Sequence, residues 1–377
     1  MSCLFLAVNI RSWAKVWPGK VLLAAVRSFL FILGERETRQ EIHSKILLLL
    51  CNRKKKKMDV LVLIVGLALI LYGANLLTDG SAALAQRFGV SEFVIGLTVV
   101  AIGTSMPELV VSVVSALRGS ADMAVGNVVG SNLFNTLLII GITALISPLP
   151  LFGRNLWRDV PFGILAAAIL WIMTADALFF GTDGRISRIE GLVLLGCFVG
   201  FIFYTIYSSR SEASVPETDG RVQPRKKIIW ILLSVVGGLA GLIWGGNLFL
   251  DSAVSIARKL GVSDSVIAIT LMAGGTSLPE LAACGVAAVK GKAQMAMGNV
   301  IGSNISNIFL ILGVSATITP LQLGDILPFD ILMLVISSAL LFVAAFTFKK
   351  KEVDRIEGLL FILLYVAYIV WLIKRDV

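Results

Sequence analysis

From residue 58 to its end the chain is written as long, nearly uncharged apolar runs, one after another. Each run is roughly 18 to 25 residues, enough to cross a hydrocarbon core of about 30 Å as a helix. Few folds accept such a sequence. In lipid every backbone N–H and C=O must be paired within the protein, which leaves helices and closed barrels. A barrel would alternate apolar and polar residues, whereas these runs are continuous. The chain has 377 residues, of which 57% are hydrophobic and 15% charged. A soluble domain of that length is far less apolar. An all-α integral membrane protein follows, with ten spans predicted at 59–84, 92–117, 122–146, 160–180, 189–208, 228–256, 264–289, 294–318, 327–348 and 355–373.

The net charge of +9 does not point to nucleic acid. The basic residues sit in short clusters between spans, such as "RKK" at 225–227 and "KKK" at 349–351, which is the pattern of positive loops on the cytoplasmic side. Four cysteines (Cys3, Cys51, Cys197, Cys284) show no CxxC spacing, and the two inside apolar spans read as small core residues. The single histidine, His43, precedes the spans. The membrane part therefore has no imidazole for a zinc site or a proton relay.

The spans come in two copies. "GANLLTDGSAALAQRFGVSEFVIGLTVVAIGTSMPE" begins at Gly73 and "GGNLFLDSAVSIARKLGVSDSVIAITLMAGGTSLPE" at Gly245, a shift of 172 that persists without a gap to Pro148 and Pro320. Further on, "SRIEG" (187–191) and "DRIEG" (354–358) still open corresponding spans. Each copy holds an odd number of predicted spans. The second must therefore enter the membrane from the opposite side, which is the inverted-topology repeat of secondary transporters. The expected organisation is a first five-helix repeat at 58–208, a polar linker at 209–227 and a second, inverted repeat at 228–377, with the broken helices carrying an ion site. Residues 1–57 stand apart, because "RKKKK" at 53–57 falls on the side predicted to be outside. They are read either as a misassigned start, with Met58 the natural first residue, or as an extra membrane-associated helix. The richer set of basic loops (Arg154, Arg158, the linker, Lys290, Lys292, Lys349, Lys350, Lys351) is assigned to the cytoplasm. Both termini of the ten-span core then lie outside it, in a multi-pass protein of the inner or plasma membrane.

Within these apolar runs stand "GTSMPE" (103–108) and "GTSLPE" (275–280). Proline removes a helical hydrogen bond and clashes with the carbonyl four residues earlier, so Pro107 and Pro279 disturb the backbone at Gly103 and Gly275. A freed carbonyl in hydrocarbon needs a partner, and a cation is one. Glu108 and Glu280 follow directly, and a lone carboxylate at membrane depth costs roughly 3 kcal/mol. Together they balance one divalent cation. A second motif pair, "GNVVGSNLFN" (126–135) and "GNVIGSNISN" (298–307), supplies Asn127, Ser131, Asn132 and Asn135, with equivalents Asn299, Ser303, Asn304 and Asn307. Carboxylate, hydroxyl, amide and carbonyl oxygens form a hard ligand set suited to calcium or sodium. Taken singly, a proline is a tolerated kink, a serine bonds back to its own helix and a small-xxx-small run is helix packing. Their recurrence together in both copies favours a cation site. Asn75 and Asp79, like Asn247 and Asp251, are read as capping or interhelix residues, and the "NIS" sequon at 304–306 as a chance match at membrane depth.

These paired blocks resemble the two α-repeats of the calcium/cation antiporter superfamily, closest to prokaryotic sodium/calcium exchangers, over about 58–377. The resemblance implies a calcium site from the carboxylates of Glu108 and Glu280 and the carbonyls of Thr104 and Thr276. It implies flanking sodium sites from Ser105, Ser277, Ser131 and Ser303 with the carbonyls of Ala101 and Ala273, and a central site lined by Asn135 and Asn307. It further implies exchange of sodium for calcium in competition for the same glutamates, a single chain as the working unit, no cofactor, and a sliding first helix in each half. Some relatives carry an acid at the Asn307 position. Asparagine here weakens the case for potassium co-transport. A proton/calcium exchanger would use the same glutamates, and a passive channel would need no counter-ion. A membrane enzyme lacks a nucleophile–base pair in this sequence.

Overall fold

A computed structural model describes residues 36–151, 153, 155–174, 184–209, 227–260, 273–323, 326, 328–348 and 351–375. Most of the extension at 1–57, nearly all of the predicted linker, the start of the predicted span 264–289 and the end of 160–180 lie outside them. The chain divides into two units, Met1–Val62 and Leu63–Val377. The first is helical from Arg36 onward. The following concerns the second.

Helix α1 (Arg36–Phe88) supplies the first apolar span. Next, α2 (Glu92–Ile95), a π-helical turn (Gly96–Val100) and α3 (Ala101–Thr104) lead to a break at Ser105, where α4 (Met106–Leu117) departs at 43°. The proline of "GTSMPE" stands in the first turn of α4, where its missing N–H breaks no bond. Helix α5 (Ala121–Leu133) passes through a π-helical turn (Phe134–Ile139) into α6 (Ile140–Ile146), and α7 (Val160–Thr174) and α8 (Arg188–Ser209) follow. The order then repeats. Helix α9 (Ile228–Lys259) comes first. The short turn α10 (Ala273–Gly275) and α11 (Leu278–Val289) flank the second break. Helix α12 (Ala293–Ser306) runs through a π-helical turn (Asn307–Leu312) into α13 (Gly313–Ile318), and α14 (Pro328–Ala344) and α15 (Arg355–Arg375) end the chain.

Among the described residues seven helices are long and apolar enough to cross a membrane, or eight if the bent pair counts as one span. Leu278–Val289 and Phe329–Ala344 are shorter apolar helices. In their most apolar 18-residue stretch, Ala121–Ile146 and Ala293–Ile318 are 72% buried, against 28% for Met58–Phe88 and 17% for Arg355–Arg375. The two asparagine-bearing helices are therefore the centre of the bundle.

Local chemistry places the boundaries. In "SRIEG", Ser187 and Glu190 form a capping box: Ser187 N–H donates to the carboxylate (2.7 Å) and Glu190 N–H to the Ser187 hydroxyl (3.3 Å). In "DRIEG", Asp354 and Glu357 do the same at 2.8 and 3.1 Å. Gly119 and Gly291 end α4 and α11 at φ +81° and +72°, conformations that favour glycine. Two short ladders cross-connect the halves. Strand β1 (Leu149–Pro150) pairs with β4 (Glu352–Val353), and β2 (Arg185–Ile186) with β3 (Leu321–Gln322).

Helices α1 and α9 cross backbone to backbone. A methyl group on Gly73 would lie 2.7 Å from the Leu242 nitrogen, and one on Gly245 would lie 2.8 Å from the Gly66 carbonyl oxygen. Small residues at seven-residue spacing make this approach available.

Candidate ion-binding site

The two breaks bring the predicted acids together. Glu108 and Glu280 are both fully buried, and each is held by the other half of the chain. Ser277 Oγ donates to Glu108 Oε1 at 3.0 Å, and Ser105 Oγ donates to Glu280 Oε1 at 3.0 Å. The second oxygen of each carboxylate, Oε2, has no partner among the described residues. Burial without a partner is costly for any polar atom and most of all for a carboxylate.

The asparagine helices supply more such oxygens. Asn307 Nδ2 donates to Asn132 Oδ1 at 2.9 Å and Asn135 Nδ2 to Asn304 Oδ1 at 3.2 Å. With both nitrogens engaged across the interface, the carbonyl oxygens of Asn135 and Asn307 are left buried and unpartnered, as is Ser131 Oγ. Both asparagines open the π-helical turns or lie within them. Such turns shift the ladder by one residue and are frequent at functional sites.

Of the remaining predicted ligands, Ser303 Oγ reaches the Ala101 carbonyl at 3.5 Å. That carbonyl also accepts from Ser105 N–H at 3.1 Å. Thr104 is buried and Thr276 half-buried. Ala273 opens the turn α10, which packs against α5, the helix of Ser131. Among the described residues no three acid, histidine or cysteine side chains gather in a metal-holding group. Any cation here would thus meet two carboxylates and otherwise neutral oxygens.

A supporting layer is built by Asn127 and Asn299, to which the family resemblance gave no ion site. Thr276 Oγ1 donates to Asn127 Oδ1 at 3.4 Å, while Asn127 Nδ2 donates to the Glu108 carbonyl (3.2 Å) and to Ser112 Oγ (3.0 Å). In the other half Thr104 Oγ1 meets Asn299 Oδ1 at 3.3 Å, and Asn299 Nδ2 meets Cys284 Sγ at 3.2 Å. These asparagines tie the threonine of one break to the helix following the other. Their place at the head of each GNxxGSN motif was the available signal. The reach across halves was not, because the bond joins residues 149 and 195 positions apart.

Buried acids at paired helix breaks, with orphaned oxygens on the helices packed beside them, define a membrane ion transporter rather than an enzyme. Comparison with known proteins gives the family. The model for "Sodium/calcium exchanger protein" matches residues 58–207 and 230–374. The chain is 32% identical to sodium/calcium exchanger MaX1 of Methanosarcina acetivorans, over 83% of this chain and 97% of that protein. It is 33% identical to inner membrane protein YrbG of Escherichia coli, over 82% and 94% respectively. A solved structure of the sodium-calcium exchanger NCX_Mj superposes with a TM-score of 0.70 at 34% identity, over 83% of this chain and 98% of that one. The chain belongs to the sodium/calcium exchanger family.

Proposed function

We propose that this protein exchanges sodium for calcium across the inner or plasma membrane by alternating access, with Glu108 and Glu280 shared by the competing ions. The observation that carries it is the reciprocal pair. Each carboxylate is anchored by a serine of the opposite half and keeps one buried oxygen unpartnered. Calcium would be held by those two carboxylates and the carbonyls of Thr104 and Thr276. Sodium would be held by Ser105, Ser277, Ser131 and Ser303 with the carbonyls of Ala101 and Ala273, and Asn135 and Asn307 would line the centre. The exchangers named among the relatives support this choice of ions.

The chain is read as ten spans in two inverted repeats, 58–208 and 228–377, joined by a cytoplasmic linker at 209–227, with core termini outside and a single chain sufficient for exchange. The seven long helices, the bent pair and the two shorter apolar helices are consistent with ten crossings. The reciprocal ladders are consistent with a two-fold relation between copies. Coupling has a simple physical basis. If bare carboxylates are too costly to carry through the occluded state, only ion-loaded forms convert, so one flux requires the other.

The test is calcium-45 uptake into proteoliposomes under sodium, potassium and proton gradients in turn. Uptake driven by an outward-directed sodium gradient is expected. Uptake driven by protons alone would select proton/calcium exchange, and uptake without any counter-ion a channel.

A further inference from the structure

The two halves share one sequence pattern but are not in one conformation. At one end of the bundle, Lys290 at the close of α11 forms an ion pair with Asp79 of α1 (2.7 Å) and donates to the Asn75 carbonyl (3.3 Å). The positions 172 earlier and later are Arg118, at the close of α4, and Asp251, on α9. Both are exposed, and neither has an ion pair among the described residues. One pair is closed and its sequence twin is open.

Burial follows the same division. Around Asp79, the α1 residues Ala82, Leu84 and Ala85 are buried, and they cluster with Ala283 and Met295. The matching α9 residues Val254, Ile256 and Ala257 are only half-buried. Met295 is 2% exposed and its twin Met123 60%; Ala283 is 4% exposed and its twin Val111 38%. The breaks themselves are covered unequally. Gly103 lies nearest Leu239 and Gly275 nearest Leu250, so both lie against α9, although a two-fold arrangement would give each its own helix. The crossed pair α1–α9 thus sits unequally against the two breaks.

We propose that Asp79–Lys290 and Asp251–Arg118 are alternate latches, one closed in each access state, which bias the end at which the ion site opens. The inference rests on reading the halves as copies that trade conformations. The chemistry is that of half-exposed ion pairs, which hold weakly. Loss of one shifts a balanced two-state equilibrium by about two- to fivefold. It is a bias, and the glycine crossing of α1 on α9 carries the motion.

The test uses the full chain in nanodiscs, where both ends meet the reagent, with its four cysteines replaced by serine. Single Met123→Cys and Met295→Cys variants report the two ends through their rates of reaction with a hydrophilic maleimide. Asp79→Asn should raise the Met295→Cys rate and lower the Met123→Cys rate, moving their ratio by about two- to fivefold. Asp251→Asn should move both rates the other way. Exchanging the charges, Asp79→Lys with Lys290→Asp, should return both rates to the parent values and reports on the latch independently of folding. Shifts in the same direction for both aspartates, no shift, or no recovery on exchange would overturn the proposal. The labelling needs no transported ion, so its failure is separate from any failure of the ion assignment.

Discussion

Ser112 in the first half and Cys284 in the second occupy matching positions beside matching partners, Asn127 and Asn299. The hydroxyl is the better hydrogen-bond acceptor, and Asn127 also donates to the Glu108 carbonyl, for which Asn299 shows no counterpart. One layer further in the difference vanishes, since Glu108 and Glu280 are bound by opposite serines at the same 3.0 Å. Along the central helices the halves part again. Asn304 donates to Thr136 at 2.7 Å, but the position matching Thr136 is Ile308, and Asn132 donates to the Asn304 carbonyl instead. Atoms able to face an ion are thus duplicated, and atoms that hold them are not. A cation held there as proposed would meet a nearly symmetric cage inside a frame that differs between the halves.

The largest effect should come from breaking the symmetric layer. Glu108→Gln and Glu280→Gln should each reduce calcium uptake by more than ~100-fold, because a divalent ion in a low-dielectric site loses several kcal/mol with one of its two countercharges. Near-normal uptake in either variant would mean that the acids are not partners.

Next comes the glycine crossing. Gly73→Ala and Gly245→Ala should each destabilise the protein by about 1–3 kcal/mol, since the added methyl meets backbone that cannot yield. Gly196→Ala, which meets nothing within 4 Å, should leave the melting temperature in detergent unchanged. A clear inequality between the first two would break the two-fold reading of the crossing.

The supporting layer offers a finer comparison. Asn127→Ala and Asn299→Ala should each weaken apparent calcium affinity by about 1–2 kcal/mol, with the larger loss for Asn127 because it satisfies more buried groups. Equal losses, read from initial rates against calcium concentration, would show that the extra bonds of Asn127 contribute nothing.

The smallest change is Cys284→Ser, which copies the first half into the second. It should alter calcium affinity by no more than about 1 kcal/mol, toward tighter binding. Weaker binding would mean that the sulfur fills space that a hydroxyl does not.

The apolar runs and the 172-residue shift made the helical membrane class, the paired breaks and the two acids legible from the residues alone, because hydrocarbon imposes severe local constraints. Proline and glutamate in such a run stand out without any neighbour to compare. "SRIEG" and "DRIEG" were equally readable as helix starts, since a capping box is satisfied within four residues. The exchange of hydroxyls between halves, the orientation of the four asparagine amides and the support from Asn127 and Asn299 were not legible. The bonds that cross between the halves join residues at least 149 positions apart, and a periodic pattern carries no information about which faces meet.

Sequence by itself determined what this protein is made of: apolar helices, two copies of one pattern, and two glutamates with hydroxyl and amide residues at matching positions. Tertiary structure alone decided which aspartate is paired: Asp79 meets Lys290, whereas Asp251 and Arg118 have no ion pair among the described residues. The paired positions carry the same charges in both halves (Asp79 with Lys290, Asp251 with Arg118), so residue type alone does not say which pair forms. In the fold Gly103 and Gly275 both lie against α9, and it is Asp79 that meets Lys290.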